Sequence, residues 1–403
     1  MDQVREVGKG ERGTGEGLLY ARSLYFCYYL AQGAFYPFLN LYYERIGLNG
    51  LQIGLLASIP ALMRPFAGPL WGGLADRLGI HRHLLTLALV GTLVAGFSYS
   101  FTSLFTLLFL ISLIYAFSGS SIAPLMDSAA LEVASSQARS YGQLRVWGTL
   151  GWIVSTWTVG WLMQDELGRF FYAFAAFMAL AIVVSLFQPP RRHLWRRPLR
   201  EGLRQILDQR LTVLFLASVF LLSVTIAARQ QFFSIYMATI GSSEGLIGFA
   251  WAVSAMSEVP MMLLSGTLIR KMGIRGFLVM GFLVYALQWA LLSVISVPQW
   301  IVVAQLLWGI SFTAFMVGGV TYIDRLAPAG LGATAQAIFS STTLGLGAFA
   351  GALLGGFLYD QIGLARMFLM NSGLALIACF VFLLSRRGYA PPSGCTSGGE
   401  ISD

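Results

Sequence analysis

Five ionisable residues fall where the chain is otherwise apolar: Arg64, Asp127, Arg145, Arg229 and Glu258. An ion in hydrocarbon is costly, so each is a candidate functional group with a partner to be found. A carboxylate accepts from hydroxyls, a guanidinium donates in a fixed fork, and an indole offers a flat apolar face. A polyhydroxylated ring needs those three things. Asp127, Arg145 and Glu258 supply acceptors and a donor, and the competing reading makes Asp127 and Arg145 a structural ion pair. Arg64 and Arg229 then tune the charge of the same region. Arg64 either faces Glu258 across a cleft or is held locally by Asp127, with Glu258 held by Arg229.

The chain repeats itself at half its length. Gly72, Asp76, Arg77 and Gly79 recur at an offset of 194 residues as Gly266, Arg270, Lys271 and Gly273, and Arg82 is matched by Arg275, one residue short of that offset. Upstream, Ile46-Gly47 and Ile53-Gly54 align with Ile240-Gly241 and Ile247-Gly248, and Arg64 aligns with Glu258. An internal repeat in apolar sequence predicts two packed bundles with a path between them.

The elements that must hold these groups are helices in lipid. Of 403 residues 57% are apolar and only 11% charged, against about a quarter charged in soluble domains. Apolar runs long enough to cross about 30 Å follow one another almost without pause, and only helices or closed barrels satisfy their own backbone there. The runs are too long for barrel strands. Twelve spans are predicted, near 19–43, 52–74, 84–102, 104–128, 144–163, 169–188, 212–238, 245–269, 277–296, 299–323, 334–357 and 364–385. The fold class is therefore an all-α membrane protein with two six-helix bundles. Its parts are a tail at 1–18, a bundle at 19–188, a basic linker at 189–211, a second bundle at 212–386 and a disordered tail at 387–403. Small residues at Gly347, Gly351 and Gly355 predict close helix packing or sliding.

Nineteen of the 26 Lys and Arg sit in the tails and alternate loops, with Arg145 at the start of the fifth span, and three (Arg45, Arg169 and Arg366) sit at the opposite side. The positive-inside rule then puts both termini in the cytoplasm, in a cytoplasmic membrane. The +8 charge is spread along one membrane face, which disfavours a nucleic-acid partner. The first residues carry no signal-peptide pattern. Three scattered cysteines give neither a disulfide framework nor a metal site. All three histidines fall outside the spans, so no nucleophile–base pair is expected in the membrane and the chain is not expected to be an enzyme. No cofactor is implied.

Asp76 falls where the second span ends, with Arg77 and Arg82 close behind. A carboxylate and guanidinium there can bond to neighbouring helix ends and lock one face. The whole stretch from Gly72 to Arg82, GGLADRLGIHR, resembles the signature loop of the major facilitator superfamily, and the resemblance extends over all twelve spans. The opening AQGAFYPF at 31–38, PLMD ending at Asp127, YGQLRVWGTLGW from Tyr141 to Trp152, and Met256 to Glu258 are similar to the branch of lactose-permease-type symporters and phenylpropionate-permease-type carriers.

That resemblance implies a substrate site at Asp127, Arg145, Trp152 and Glu258, and a cytoplasmic gate at Gly72, Asp76, Arg77, Gly79 and Arg82. It implies alternating-access transport of a sugar, nucleoside or aromatic or organic acid by one chain acting as a monomer, with H+ as the coupling partner through Glu258. Facilitated uniport or export of drugs or metabolites is the alternative. The branch's proton-handling network is altered, since Arg229, Gln288, Gln305, Trp308 and Ser311 stand where it has an acid, an arginine, a lysine, a histidine and a glutamate.

Overall fold

The computed structural model describes residues 2–78, 80–136, 141–163, 166–187, 209–328 and 331–384. Gly79, most of the basic linker and the last residues from 385 on lie outside them, as do the side chains of Asp76 and Arg82. Among the described residues all regular structure is helical. The first half comprises α1 (Asp2–Arg45), α2 (Gly50–Leu78), α3 (His81–Ser98), α4 (Phe105–Gly119), α5 (Ile122–Ser136), α6 (Tyr141–Leu162) and α7 (Arg169–Ser185). The second comprises α8 (Arg210–Thr239), α9 (Glu244–Val294), α10 (Pro298–Ala304), α11 (Leu306–Leu326), α12 (Gly332–Ser340), α13 (Ala348–Ile362) and α14 (Leu364–Leu384).

The described residues of the predicted spans lie mainly on helix, the tenth being divided at Gln305 between α10 and α11. The fourth is interrupted at Ser120 and Ser121, between α4 and α5. The eleventh runs through α12, a π-helical stretch at Ser341–Gly347 and α13. Helix α1 runs from Asp2, through the expected tail and the first span, with no proline before Pro37 to stop it. Helix α9 has 51 residues, about 76 Å at 1.5 Å per residue, far too long for one crossing. Gly273, at φ 75° and ψ 160°, breaks it where the repeat motif places its second glycine, giving the two predicted spans.

The repeat is built into the backbone. Gly47 and Gly241 both have positive φ, 92° and 85°. Beside them Leu48 donates to the carbonyl of Tyr43 and Ser242 to that of Met237, so two helices end in the same left-handed cap. Two residues later the next helices begin alike. Asn49 accepts from the amide of Gln52, and Ser243 from that of Leu246.

These turns lie at the face that the charge rule assigns to the outside, and there the halves are joined. Arg45 pairs with Glu244. Asp360, on α13, accepts from Gly50 N at 2.6 Å and Leu51 N at 2.8 Å, placing an anion on the N-terminus of α2. A Cβ at Gly54 would overlap the carbonyl oxygen of Ala352, and one at Gly248 that of Thr156. Helix α2 thus meets α13, and α9 meets α6, at equivalent glycines. The stripe Gly347, Gly351, Gly355 packs on Ser223, Val224 and Ala228 of α8, inside one half.

Candidate functional site

Beneath this closed face the halves enclose a cavity of about 400 Å³. Four of the six predicted site residues, Arg64, Trp152, Arg229 and Glu258, line it. Asp127 and Arg145 stand outside its wall. Tyr25 donates its hydroxyl to Asp127, and Tyr28, in the wall, lies within electrostatic reach of both Asp127 and Arg64. Arg145 is exposed, within electrostatic reach of Glu258.

The aromatic wall comes from both halves. Trp152 of α6 approaches Trp251 of α9 with ring centroids 6.3 Å apart and interplanar angle 69°. Tyr36 of α1 touches both rings, at 6.0 and 6.2 Å. Trp308, stacked on Phe312 at 5.4 Å, completes the far side and donates Nε1–H to Glu258 Oε1 at 2.7 Å. Such rings offer flat faces to a solute and little entropy to lose.

Arg229 is fully buried. Its guanidinium lies 4.3 Å from the Phe233 ring centroid and 4.4 Å from those of Trp251 and Trp308, a cation held between π faces. Its Nη2 donates to Gln305 Oε1 at 2.6 Å and to Ser254 Oγ at 3.2 Å. Behind it, Ser311 bonds to Gln288 at 3.5 Å and Gln288 to the carbonyl of Ala304 at 3.5 Å. At the positions where the resemblance implies a charged network, Arg229 is the one charged group; Gln305 accepts from it, Ser311 bonds to Gln288, and the Trp308 indole donates to Glu258.

Among the described residues no ion pair joins Arg64 to Glu258 or to Asp127, or Glu258 to Arg229. Glu258 takes its hydrogen bond from Trp308, and Arg64 makes neither an ion pair nor a hydrogen bond with a described residue. Sequence reasoning missed the polar cluster between α1 and α8, where Asn40 donates to Gln231 Oε1 at 2.8 Å and Gln231 donates to Tyr36 Oη at 3.0 Å. It also missed Tyr25 and the Asp360 cap. Asp360 carried a signal, being an acid near the end of a predicted span. At the proposed gate, Gly72 and Asp76 lie on α2, Arg82 lies on α3 and Arg77 is exposed.

A helical membrane protein whose repeated halves line a shared polar, aromatic cavity has the make-up of a solute transporter of the major facilitator fold. The chain belongs to the MFS_1 like family, whose profile matches residues 18–370. It is 31% identical over 366 residues to a maltose permease of Geobacillus stearothermophilus, covering 89% of this chain and 92% of the relative. It is 25% identical over 374 residues to a probable 3-phenylpropionic acid transporter of Escherichia coli, covering 89% and 95%. The crystal structure of the nucleoside transporter NupG superposes with a TM-score of 0.83 at 18% identity, covering 93% of this chain and all of NupG. That likeness concerns the fold.

Proposed function

We propose that this chain is a secondary active transporter that imports a small polar solute across the cytoplasmic membrane, as a monomer with both termini inside. The solute class is a sugar, a nucleoside or an aromatic or organic acid, the range named for its relatives. The observation that carries this reading is the cavity shared by Trp152, Trp251 and Trp308 with Glu258 and Arg229. It offers ring faces, an acceptor and a donor, from both halves.

The halves 19–188 and 212–386 rock about this site, and the conformation described here is closed at the outer face by Arg45–Glu244, Asp360 and the Gly54 and Gly248 contacts. Asp127 and Arg145 lie close enough to complete the site when a solute draws the halves together. Glu258 is the proton acceptor, because its hydrogen-bond partner in the cavity is a neutral indole that leaves the second oxygen available. Asp76, Arg77 and Arg82 form the gate of the cytoplasmic face. Facilitated uniport is the second reading, favoured by the neutral network around Gln288, Gln305 and Ser311.

Uptake into proteoliposomes of labelled maltose, 3-phenylpropionate and a nucleoside tests the reading. One member of this panel enters the vesicles, and Trp152→Ala reduces that uptake at least about tenfold through loss of ring contact. Equal leakage of all members with and without protein overturns it.

A further inference from the structure

The charges of the cavity wall do not balance. Its described residues include two guanidinium groups, Arg64 and Arg229, against one carboxylate, Glu258. The wall therefore carries one positive charge when Glu258 is ionised and two when it is protonated. A cation withdrawn from water is costly unless an anion or a full set of hydrogen bonds compensates it.

Arg229 is compensated only in part, by three aromatic faces and two hydrogen bonds, and Arg64 is exposed. Arg229 spends Nη2 on Gln305 and Ser254, but its Nε and Nη1 are buried with no hydrogen-bond partner. Arg64 makes no ion pair or hydrogen bond with a described residue. Glu258 is turned to Trp308. The two cations also share a neighbour, since the Tyr36 hydroxyl lies within electrostatic reach of both.

A second, smaller cavity of about 210 Å³ adjoins the first on the side of the closed face, sharing Tyr36, Arg64 and Gln230 with it. Arg64 is the one charged residue in its described wall, which is otherwise built of amides, hydroxyls and apolar groups. The space between the chambers is thus lined by donors without an acid to take them.

We infer that this junction is a carboxylate subsite. The solute lays its ring against Trp152, Trp251 and Trp308 and directs a carboxylate toward Arg64 and the orphaned nitrogens of Arg229. A carboxylate supplies two oxygens with about four lone-pair sites, and charge-assisted bonds to guanidinium are about twice as strong as neutral ones. With a proton on Glu258, the bound carboxylate offsets one of the two wall charges. This deepens the proposed function and rests on the cavity being the substrate site.

Calorimetric titration of the purified chain in nanodiscs with two matched pairs tests it. One pair is maltose and maltobionate, the same disaccharide with its reducing end oxidised to a carboxylate. The other is 3-phenylpropanol and 3-phenylpropionate. In at least one pair the acid binds about tenfold tighter than its neutral partner. Arg64→Gln narrows the ratio between each acid and its neutral partner to about twofold or less, and Arg64→Lys keeps part of it. Equal binding of acid and neutral in both pairs overturns the subsite, as does an Arg64→Gln variant that weakens both members alike. Tight maltose binding with maltobionate excluded also overturns it, yet leaves the transporter reading standing.

Discussion

The indole of Trp308 donates to Glu258 across 2.7 Å, while its ring stacks against the guanidinium of Arg229 at 4.4 Å. One side chain thus holds both an anion and a cation of the cavity apart from each other. It occupies the place where the family resemblance implies a proton-handling histidine, and it does so without titrating. Under the proposed function Glu258 is the proton carrier, and the Trp308 N–H bond sets where its carboxylate points.

Trp308→Phe keeps the stacking surface and removes the donor. A hydrogen bond to a charged group contributes about 1.5–3 kcal/mol, so solute affinity measured by calorimetry falls about tenfold or more if Trp308 positions Glu258 for the solute. An unchanged affinity shows that Glu258 is oriented by other groups.

Arg229→Lys retains the charge but not the flat fork. A lysine cannot lie against Phe233, Trp251 and Trp308 while reaching Gln305 and Ser254. Uptake in proteoliposomes falls at least about tenfold, with the protein still folded by its melting curve. Uptake near the unaltered level reduces Arg229 to a bulk charge.

Gly248→Val places atoms where the carbonyl of Thr156 now stands, and Gly54→Val does the same against Ala352. Either substitution holds the outer face open. A cysteine introduced at Gln231, in a chain whose own cysteines are replaced by serine, then reacts faster with an impermeant thiol reagent added outside. Transport slows in the same variants. Unaltered labelling means these glycines pack without governing closure.

Asp360→Ala removes the acceptor from two amides at the start of α2. Helix N-terminal charges contribute about 0.3–1 kcal/mol at exposed sites, so the outward-open population rises about two- to fivefold. Distances between spin labels on the outer ends of α2 and α13 report this shift directly. A distance distribution unchanged by the substitution assigns the closure to the glycine contacts alone.

Much of this was legible in the chain because the repeat acts through local rules. Gly47 and Gly241 are glycines since both caps need positive φ, and Gly273 breaks α9 for the same reason. The six cavity candidates stood out as charges or an indole in apolar sequence, and four of them share one wall. The Asn40–Gln231–Tyr36 cluster was not legible. Neutral amides and phenols carry no penalty large enough to mark them in a membrane span, and their meeting depends on how α1 crosses α8. Trp308 stands out in the sequence only as a replacement for the branch's histidine, and its bond to Glu258 depends on how α9 meets α11. Arg64 was read as either paired across the cleft or held by Asp127. Its lack of a described partner is a property of the three-dimensional wall, and no spacing along the chain encodes it.

The most direct measurement is solute uptake into proteoliposomes with and without an inward proton gradient, for the unaltered chain and for Glu258→Gln. The gradient drives the unaltered chain to accumulate solute above the outside concentration, and Glu258→Gln only equilibrates it. Accumulation by Glu258→Gln equal to that of the unaltered chain contradicts the account, because the proton then travels by a route that does not involve this carboxylate.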